Sequence, residues 1–251
     1  MNVDEYEKLD RIDREHWFYA GKRAVVRHWI ARSLALTHDD LLVDVGCGTG
    51  TFALEMGTTC RVLGIDHHDE SIRLAEPKLR SVGGSVKKSP LERIDLPDGA
   101  ATVVTAMDVL EHLDDDRLAL RELIRIARPG GLIVVTVPAL MALWSDWDVA
   151  LGHRRRYDRR QLLRLIDLPE VDLVRCSYYN MAALPLIGIV RGWRRIRPPA
   201  PGADRAEDRV PSRWLNTLLY RSLVTPACWE WPRQPIGVAL IAVLKKRAHT
   251  R

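Results

Sequence analysis

The chain has 251 residues, 47% of them hydrophobic and 28% charged, which is globular composition with material for one sizeable core. Its net charge of +5 is a mild excess that raises the question of an anionic partner without establishing one. No apolar run reaches the roughly 18 residues of a membrane span. The charged first residues have no leader pattern. Four scattered cysteines without a CxxC pair argue against a disulfide scaffold or a zinc site, so a cytoplasmic protein without metal is expected.

In chain order, Lys22–Leu36 is predicted as a leading amphipathic helix that completes a helical cap over residues 1–36. Short β-like runs follow at Leu41–Val45, Arg61–Asp66, Ser85–Lys88, Ala101–Met107 and Leu132–Pro138. Helical patterns lie between them. Asp69–Val82 opens on acidic residues, and Asp114–Arg128 starts with aspartates and stops at Pro129-Gly130-Gly131. The alternation predicts a single α/β domain with helices on both faces of a mostly parallel sheet. Val171–Tyr179 and Ile236–Leu244 read as two further strands. The segment between them is far longer than a hairpin turn, so 180–235 is expected to be a helical insertion.

The sharpest local signal is Asp44-Val-Gly-Cys-Gly-Thr-Gly50, directly after the first strand. Its glycines let the backbone turn tightly and approach a ligand. Twenty residues beyond Gly46 the second strand ends in Asp66, where an acid can accept both hydroxyls of a ribose. A dinucleotide loop is spaced GxGxxG and offers a helix N-terminus to a pyrophosphate. Here the spacing is GxGxG, and Asp44 would repel a pyrophosphate but suits a cationic ligand.

Four segments together resemble the class I S-adenosylmethionine-dependent methyltransferases: DVGCGTG (44–50), GIDHHDESI (64–72), LPDGAATVVTAMDVLEHLDD (96–115) and RPGGLIVVTVP (128–138). The resemblance implies a Rossmann-like seven-stranded sheet whose last strand is antiparallel, with the insertion between the sixth and seventh strands. The implied cofactor is S-adenosyl-L-methionine. Asp44, Gly46, Cys47 and Gly48 would line its methionine part, Asp66 its ribose and His67 its adenine. Ser89 and Leu91 would cover the adenine edge, although this chain departs there from the usual Asp-Ala-Glu spacing. Met107 and Asp108 would pass beneath the methionine.

Two further segments resemble a subgroup of these enzymes with HWWF…R and W-S…D…GH.RRY patterns. The first, Glu15-His-Trp-Phe-Tyr-Ala-Gly-Lys-Arg23, implies that Tyr19 and Arg23 face the cofactor carboxylate, where an arginine pairs bidentately. The alternative is that its aromatics only pack the leading helix. The second spans Leu143-Trp-Ser-Asp-Trp-Asp148 and Gly152-His-Arg-Arg-Arg-Tyr157. It follows the fifth strand, on the side where ligands bind open α/β sheets. Trp144, Asp148, Arg156 and Tyr157 are its candidate acceptor contacts. Asp148, His153, Arg156 and Tyr157 could also tie the loop into an ordered knot, and the two roles are compatible.

A hydroxyl or carbon acceptor must lose a proton, and His112 and His153 are the candidate catalytic bases. The expected activity is methyl transfer to a small-molecule acceptor, lipophilic or anionic, with oxygen, nitrogen and carbon all open. A non-catalytic cofactor-binding subunit is the alternative. The GxGxG spacing and Asp44 disfavour a nicotinamide dehydrogenase. Nucleic acid is also disfavoured, because Arg154–Arg160 has no accompanying aromatic stripe or known module.

Charge is unevenly placed. Asn180–Gln234 holds nine arginines against four acidic residues, which accounts for the whole net excess. The same segment holds four of the eight tryptophans. It reads as a basic, aromatic lid, open to a peripheral contact with an anionic membrane surface or to a homodimer contact.

Overall fold

The structure, a computed structural model, describes residues 10–196, 209–230 and 233–248. The proline-rich link at 198–201, Arg197, Arg205 and Trp231 lie outside the described residues. The strands are β1 (Leu41–Val45), β2 (Arg61–Asp66), β3 (Ser85–Lys88), β4 (Ala101–Met107), β5 (Ala127–Pro138), β6 (Val171–Tyr179) and β7 (Ala239–Lys246). The helices are α1 (Trp17–Ser33), α2 (Thr51–Met56), α3 (Asp69–Arg80), α4 (Asp116–Ile126), α5 (Asp146–Ala150), α6 (Arg159–Ile166), α7 (Leu184–Ile196) and α8 (Arg213–Ala227). All seven strands join one sheet in the order β3-β2-β1-β4-β5-β7-β6. Strand β7 runs antiparallel to β5 and β6, and the other pairs are parallel.

The central strands read as unbroken apolar runs because both of their faces are covered. Alternate side chains go to opposite layers. Val43, Val45, Leu63, Val104, Ala106, Ile133 and Val135 pack with Leu120 and Leu123 of α4 and Leu162 of α6. Their neighbours Leu42, Val62, Val103, Leu132 and Val134 pack with Val26, Trp29 and Ile30 of α1, Phe52 of α2, Leu79 of α3 and Leu223 of α8. Each fully buried branched side chain contributes about 1.5–3 kcal/mol. The register sets the site. Val45 lies opposite Ile65 and Ala106, so β1, β2 and β4 end level with one another.

Several boundaries differ from the sequence reading. Helix α1 starts at Trp17, five residues before the predicted Lys22, because His16 caps it: its Nδ1 accepts from the Phe18 amide at 3.3 Å. Helix α4 ends at Ile126, and β5 takes up Ala127 to Gly131, which the pattern had given to helix and turn. Pro129 disfavours a helical Arg128, so the chain is already extended there. Strand β7 begins at Ala239, after Gly237, which presses so closely on the Tyr179 backbone that a Cβ would lie 2.3 Å from its carbonyl oxygen. It then runs past Leu244, because Lys245 and Lys246 still pair with β5 and β6.

The insertion docks at two places. Helix α8 lies on α1, where the Trp29 indole donates to the Ala227 carbonyl at 3.0 Å and the Trp17 amide donates to Asn216 Oδ1 at 2.9 Å. The Arg175 guanidinium, from β6, sits 3.8 Å from the Trp29 ring centre, in cation–π range. Helix α7 reaches the loop after β5, where Arg191 donates to the Leu143 carbonyl. No helix among the described residues is long and apolar enough to cross a membrane.

Candidate cofactor and acceptor site

The glycine loop is held from below. The amides of Gly46 and Cys47 both donate to the Ile65 carbonyl, at 2.8 and 3.0 Å. Asp66 finishes the clamp: Oδ2 accepts from the Gly48 amide and Oδ1 from the His68 amide, each at 2.9 Å. Two positions need glycine for different reasons. Gly46 has φ +69°, and a Cβ there would lie 2.5 Å from Val109 Cγ2. Gly48 has φ +53°, and a Cβ would meet nothing within 4 Å. The loop therefore presents open space at Gly48, beside Asp66.

Asp44 is buried and only half satisfied. Its Oδ1 accepts from the Thr105 hydroxyl at 2.6 Å, while Oδ2 has no hydrogen-bond partner. Burial, reinforced by Asp13 and Asp66 nearby, pushes its carboxyl up to about 7 against the pull of Thr105 and Lys22. An orphaned buried carboxylate oxygen next to a glycine loop fits a cationic ligand.

At the end of β4, Asp108 takes a positive φ of 55°. Its Oδ1 accepts from the Thr136 hydroxyl at 2.8 Å and its Oδ2 from Lys22 Nζ at 2.7 Å. Burial opposes ionisation, but the Lys22 ammonium outweighs it and holds Asp108 below its ordinary value. Lys22 also lies 5.0 Å from the Tyr19 ring centre. The cation aimed at the strand ends is thus Lys22. Arg23, expected to face a cofactor carboxylate, is buried, with Glu55 at 2.8 Å, Asp13 at 3.0 Å and the Asp13 carbonyl as partners. Internal carboxylates occupy it in place of an open ligand contact.

The remaining candidates lie around the loop. Cys47 is buried, with its thiol pushed well up by burial and by Asp44. His67 is exposed just past β2 and packs on the His68 ring at 3.7 Å. Ser89 and Leu91 are buried in the loop after β3, where the Ser89 amide donates to the Asp66 carbonyl at 3.0 Å. Met107 and Tyr19 are half-buried.

On the acceptor side, Asp148 is fully buried at the centre of a knot. Arg156 Nε donates to it at 2.7 Å, the His153 ring pairs with it at 2.9 Å, and the Ser145 amide donates at 2.9 Å. These partners outweigh burial and hold its carboxyl well below the usual range. The Tyr157 hydroxyl donates to Asp116 Oδ2 at 2.8 Å. Arg155 pairs with Asp116 at 3.0 Å, and Arg154 bonds the His112 carbonyl at 2.8 Å. Asp148, Arg156 and Tyr157 thus have partners inside the protein that order the loop. Trp144 stands half-buried beside them. This is the ordered knot, and it fixes where the loop sits.

The knot brings the two candidate bases together. The His112 and His153 rings lie 4.8 Å apart, nearly perpendicular at 82°. His153 Nε2 is 3.9 Å from Oε1 of Glu111, a fully buried residue absent from the sequence reading. Burial, His153 and other neighbours keep the His112 ring below its ordinary value.

Residues 43–135 match the methyltransferase domain family. With the sheet order and the clamped glycine loop, this marks residues 43–135 as a domain of the class I S-adenosylmethionine-dependent methyltransferase type, a family whose cofactor is S-adenosyl-L-methionine. The chain is 30% identical over 129 residues to sterol 24-C-methyltransferase of Eremothecium gossypii, covering 47% of this chain and 35% of that one. It is 31% identical over 132 residues to an O-methyltransferase of Aspergillus nomiae, covering 50% and 58%. The chain thus spans less than two thirds of the length of these curated relatives. A geranyl diphosphate methyltransferase solved with S-adenosylmethionine shares the fold at a TM-score of 0.59 and 12% identity, over 88% of this chain and 85% of that one.

Proposed function

We propose that the chain transfers the methyl group of S-adenosylmethionine to a lipophilic or anionic small molecule at the carboxyl ends of β1, β2 and β4. The observation that carries this reading is the paired acids at the glycine loop. Asp66 clamps the loop through two backbone amides, and the buried Asp44 keeps one oxygen without a partner. When bound, the cofactor supplies an electrophilic methyl group on a sulfonium. Asp66 would take the ribose hydroxyls on its remaining lone pairs. His67, Ser89 and Leu91 would border the adenine. Asp44, Gly46, Cys47 and Gly48 would surround the methionine part, with Met107, Asp108, Lys22 and Tyr19 beneath and beside it.

Alignment supplies most of the rate, since well-held pairs reach effective molarities of about 10⁵ M or more. The acceptor would enter past Trp144 and the loop ordered by Asp148, Arg156 and Tyr157. A hydroxyl acceptor would give its proton to the cluster at His112 and His153. The name of the sterol relative supports a lipophilic acceptor. The test is formation of S-adenosylhomocysteine across a panel of lipophilic phenols, sterols and carboxylic acids. Turnover of at least one class, lost in Asp66→Ala, is expected. Cofactor binding with no turnover on any class would favour a non-catalytic subunit.

The insertion supports a surface role for the same site. Leu186, Ile189, Trp193 and Ile196 recur at helical spacing on α7 and are 59–79% exposed. They lie in the segment that carries the chain's arginine excess. An apolar stripe in a basic segment suits an anionic lipid surface that delivers a lipophilic acceptor. Flotation with anionic vesicles should carry the protein up at low salt, and Ile189→Glu with Trp193→Glu should abolish it. No flotation of the parent protein contradicts the membrane contact.

A further inference from the structure

We propose that Glu111, His112 and His153 form a binding site for one divalent transition-metal ion. The three offer ligand atoms that all lie within 4.8 Å of one another. Glu111 is fully buried, and neither of its carboxylate oxygens has a hydrogen-bond partner. A buried carboxyl is ordinarily paired, hydrogen-bonded or bound to metal. What faces this one is imidazole: His153 Nε2, at 3.9 Å from Oε1.

The His153 imidazole is oriented from behind, as metal-binding histidines are. His153 holds the Asp148 carboxylate through Nδ1 at 2.9 Å, which leaves Nε2 for the cluster. The His112 ring packs against the His153 ring. The knot around Asp148 thus aims the His153 ring at the cluster. His112 is only part-buried, which gives an ion a way in.

Two imidazoles and one carboxylate suit zinc or a neighbouring transition metal, whereas magnesium and calcium prefer all-oxygen sites. Zinc–ligand bonds of about 2.0–2.1 Å require neighbouring ligand atoms about 3.4 Å apart. The cluster therefore needs to contract by on the order of 1 Å, within reach of a Glu111 rotamer change. Three protein ligands leave at least one coordination position open. Glu111 and His112 sit three and four residues beyond Asp108, so that position would lie beside the transferring methyl group. There the ion would lower the pKa of a bound acceptor hydroxyl so that its proton passes to solvent water, because imidazoles that hold the ion cannot also take the proton. That role rests on the proposed methyl transfer; the binding of the ion does not.

The test uses tag-free protein stripped by a chelator, titrated with zinc chloride by calorimetry and checked by elemental analysis. One zinc per chain is expected. Glu111→Gln, which keeps the shape and removes the charge, should weaken binding at least tenfold, as should His112→Ala at the part-exposed ring. Cobalt substitution should give a visible absorption spectrum that both variants lose. S-adenosylmethionine binding, measured on the same samples, reports separately on the cofactor site. The proposal is overturned if the parent protein takes up no zinc, or if both variants bind zinc as it does. Should Glu111→Gln not fold, His112→Ala decides alone.

Discussion

Lys22 Nζ lies 2.7 Å from Asp108 Oδ2, so the N-terminal helix is bolted to the end of β4 at the centre of the site. The pair sits at the end of β4, across β1 from Asp66 at the end of β2. Lys22 is 9% exposed and Asp108 25%, so water screens their attraction only in part. Lys22→Met leaves the carboxylate with the Thr136 hydroxyl alone. We expect a loss of about 2 kcal/mol in stability, less than for a fully buried pair. That is about 4–8 °C in melting temperature, read by calorimetry. Cofactor affinity should fall at least tenfold, because Asp108 and Tyr19 lose their common neighbour.

Asp44 makes the empty site pH-dependent. Its carboxyl, at about 7 in the folded chain, lies above its ordinary 3.8. The folded chain therefore keeps a proton that the unfolded chain releases, and stability without cofactor falls as pH rises from about 4 to about 7. Asp13 and Asp66 push in the same direction, while Thr105 and Lys22 oppose. A cationic ligand binds the ionised form. S-adenosylmethionine affinity should therefore rise about tenfold from pH 6 to pH 8, and Asp44→Asn should flatten the profile. Both are measurable by titration calorimetry.

The two loop glycines should fail differently. Gly46→Ala drives a Cβ into Val109 on top of the strain at positive φ, and soluble yield should fall. Gly48→Ala meets no protein atom, so it should cost only the left-handed strain of about 1–2 kcal/mol. Its methyl group would occupy the ligand's space. Melting near the parent value, with cofactor binding lost, is the expected signature.

Asp148 anchors the loop after β5. Asp148→Ala leaves buried Arg156 and His153 without their carboxylate, at about 3–5 kcal/mol. Melting should drop by about 10 °C, and limited proteolysis should cut first within 141–157. Trp144→Ala, by contrast, should leave melting within a few degrees and raise the acceptor KM.

The strands, the glycine loop and Asp66 were legible because each is a local pattern with a local cause. Helix phase was not. Lys22 and Arg23 are neighbours in sequence, yet successive residues of a helix point about 100° apart. Without the true start at Trp17, the reading favoured Arg23, which turns to Glu55, over Lys22, which turns to Asp108. Glu111 is not legible in the sequence, because a lone acid reads as exposed and only the tertiary fold buries it. His112 and His153 lie 41 residues apart in sequence, and the fold brings their rings together. The clue was Asp148 five residues before His153, a carboxylate spaced to orient an imidazole.

Titration calorimetry on the parent protein and on Asp66→Ala decides whether Asp44, Gly48 and Asp66 take S-adenosylmethionine. Micromolar binding of S-adenosylmethionine by the parent, its loss in the variant, and no binding of NADH are predicted. No binding of S-adenosylmethionine, or a preference for NADH, would contradict it.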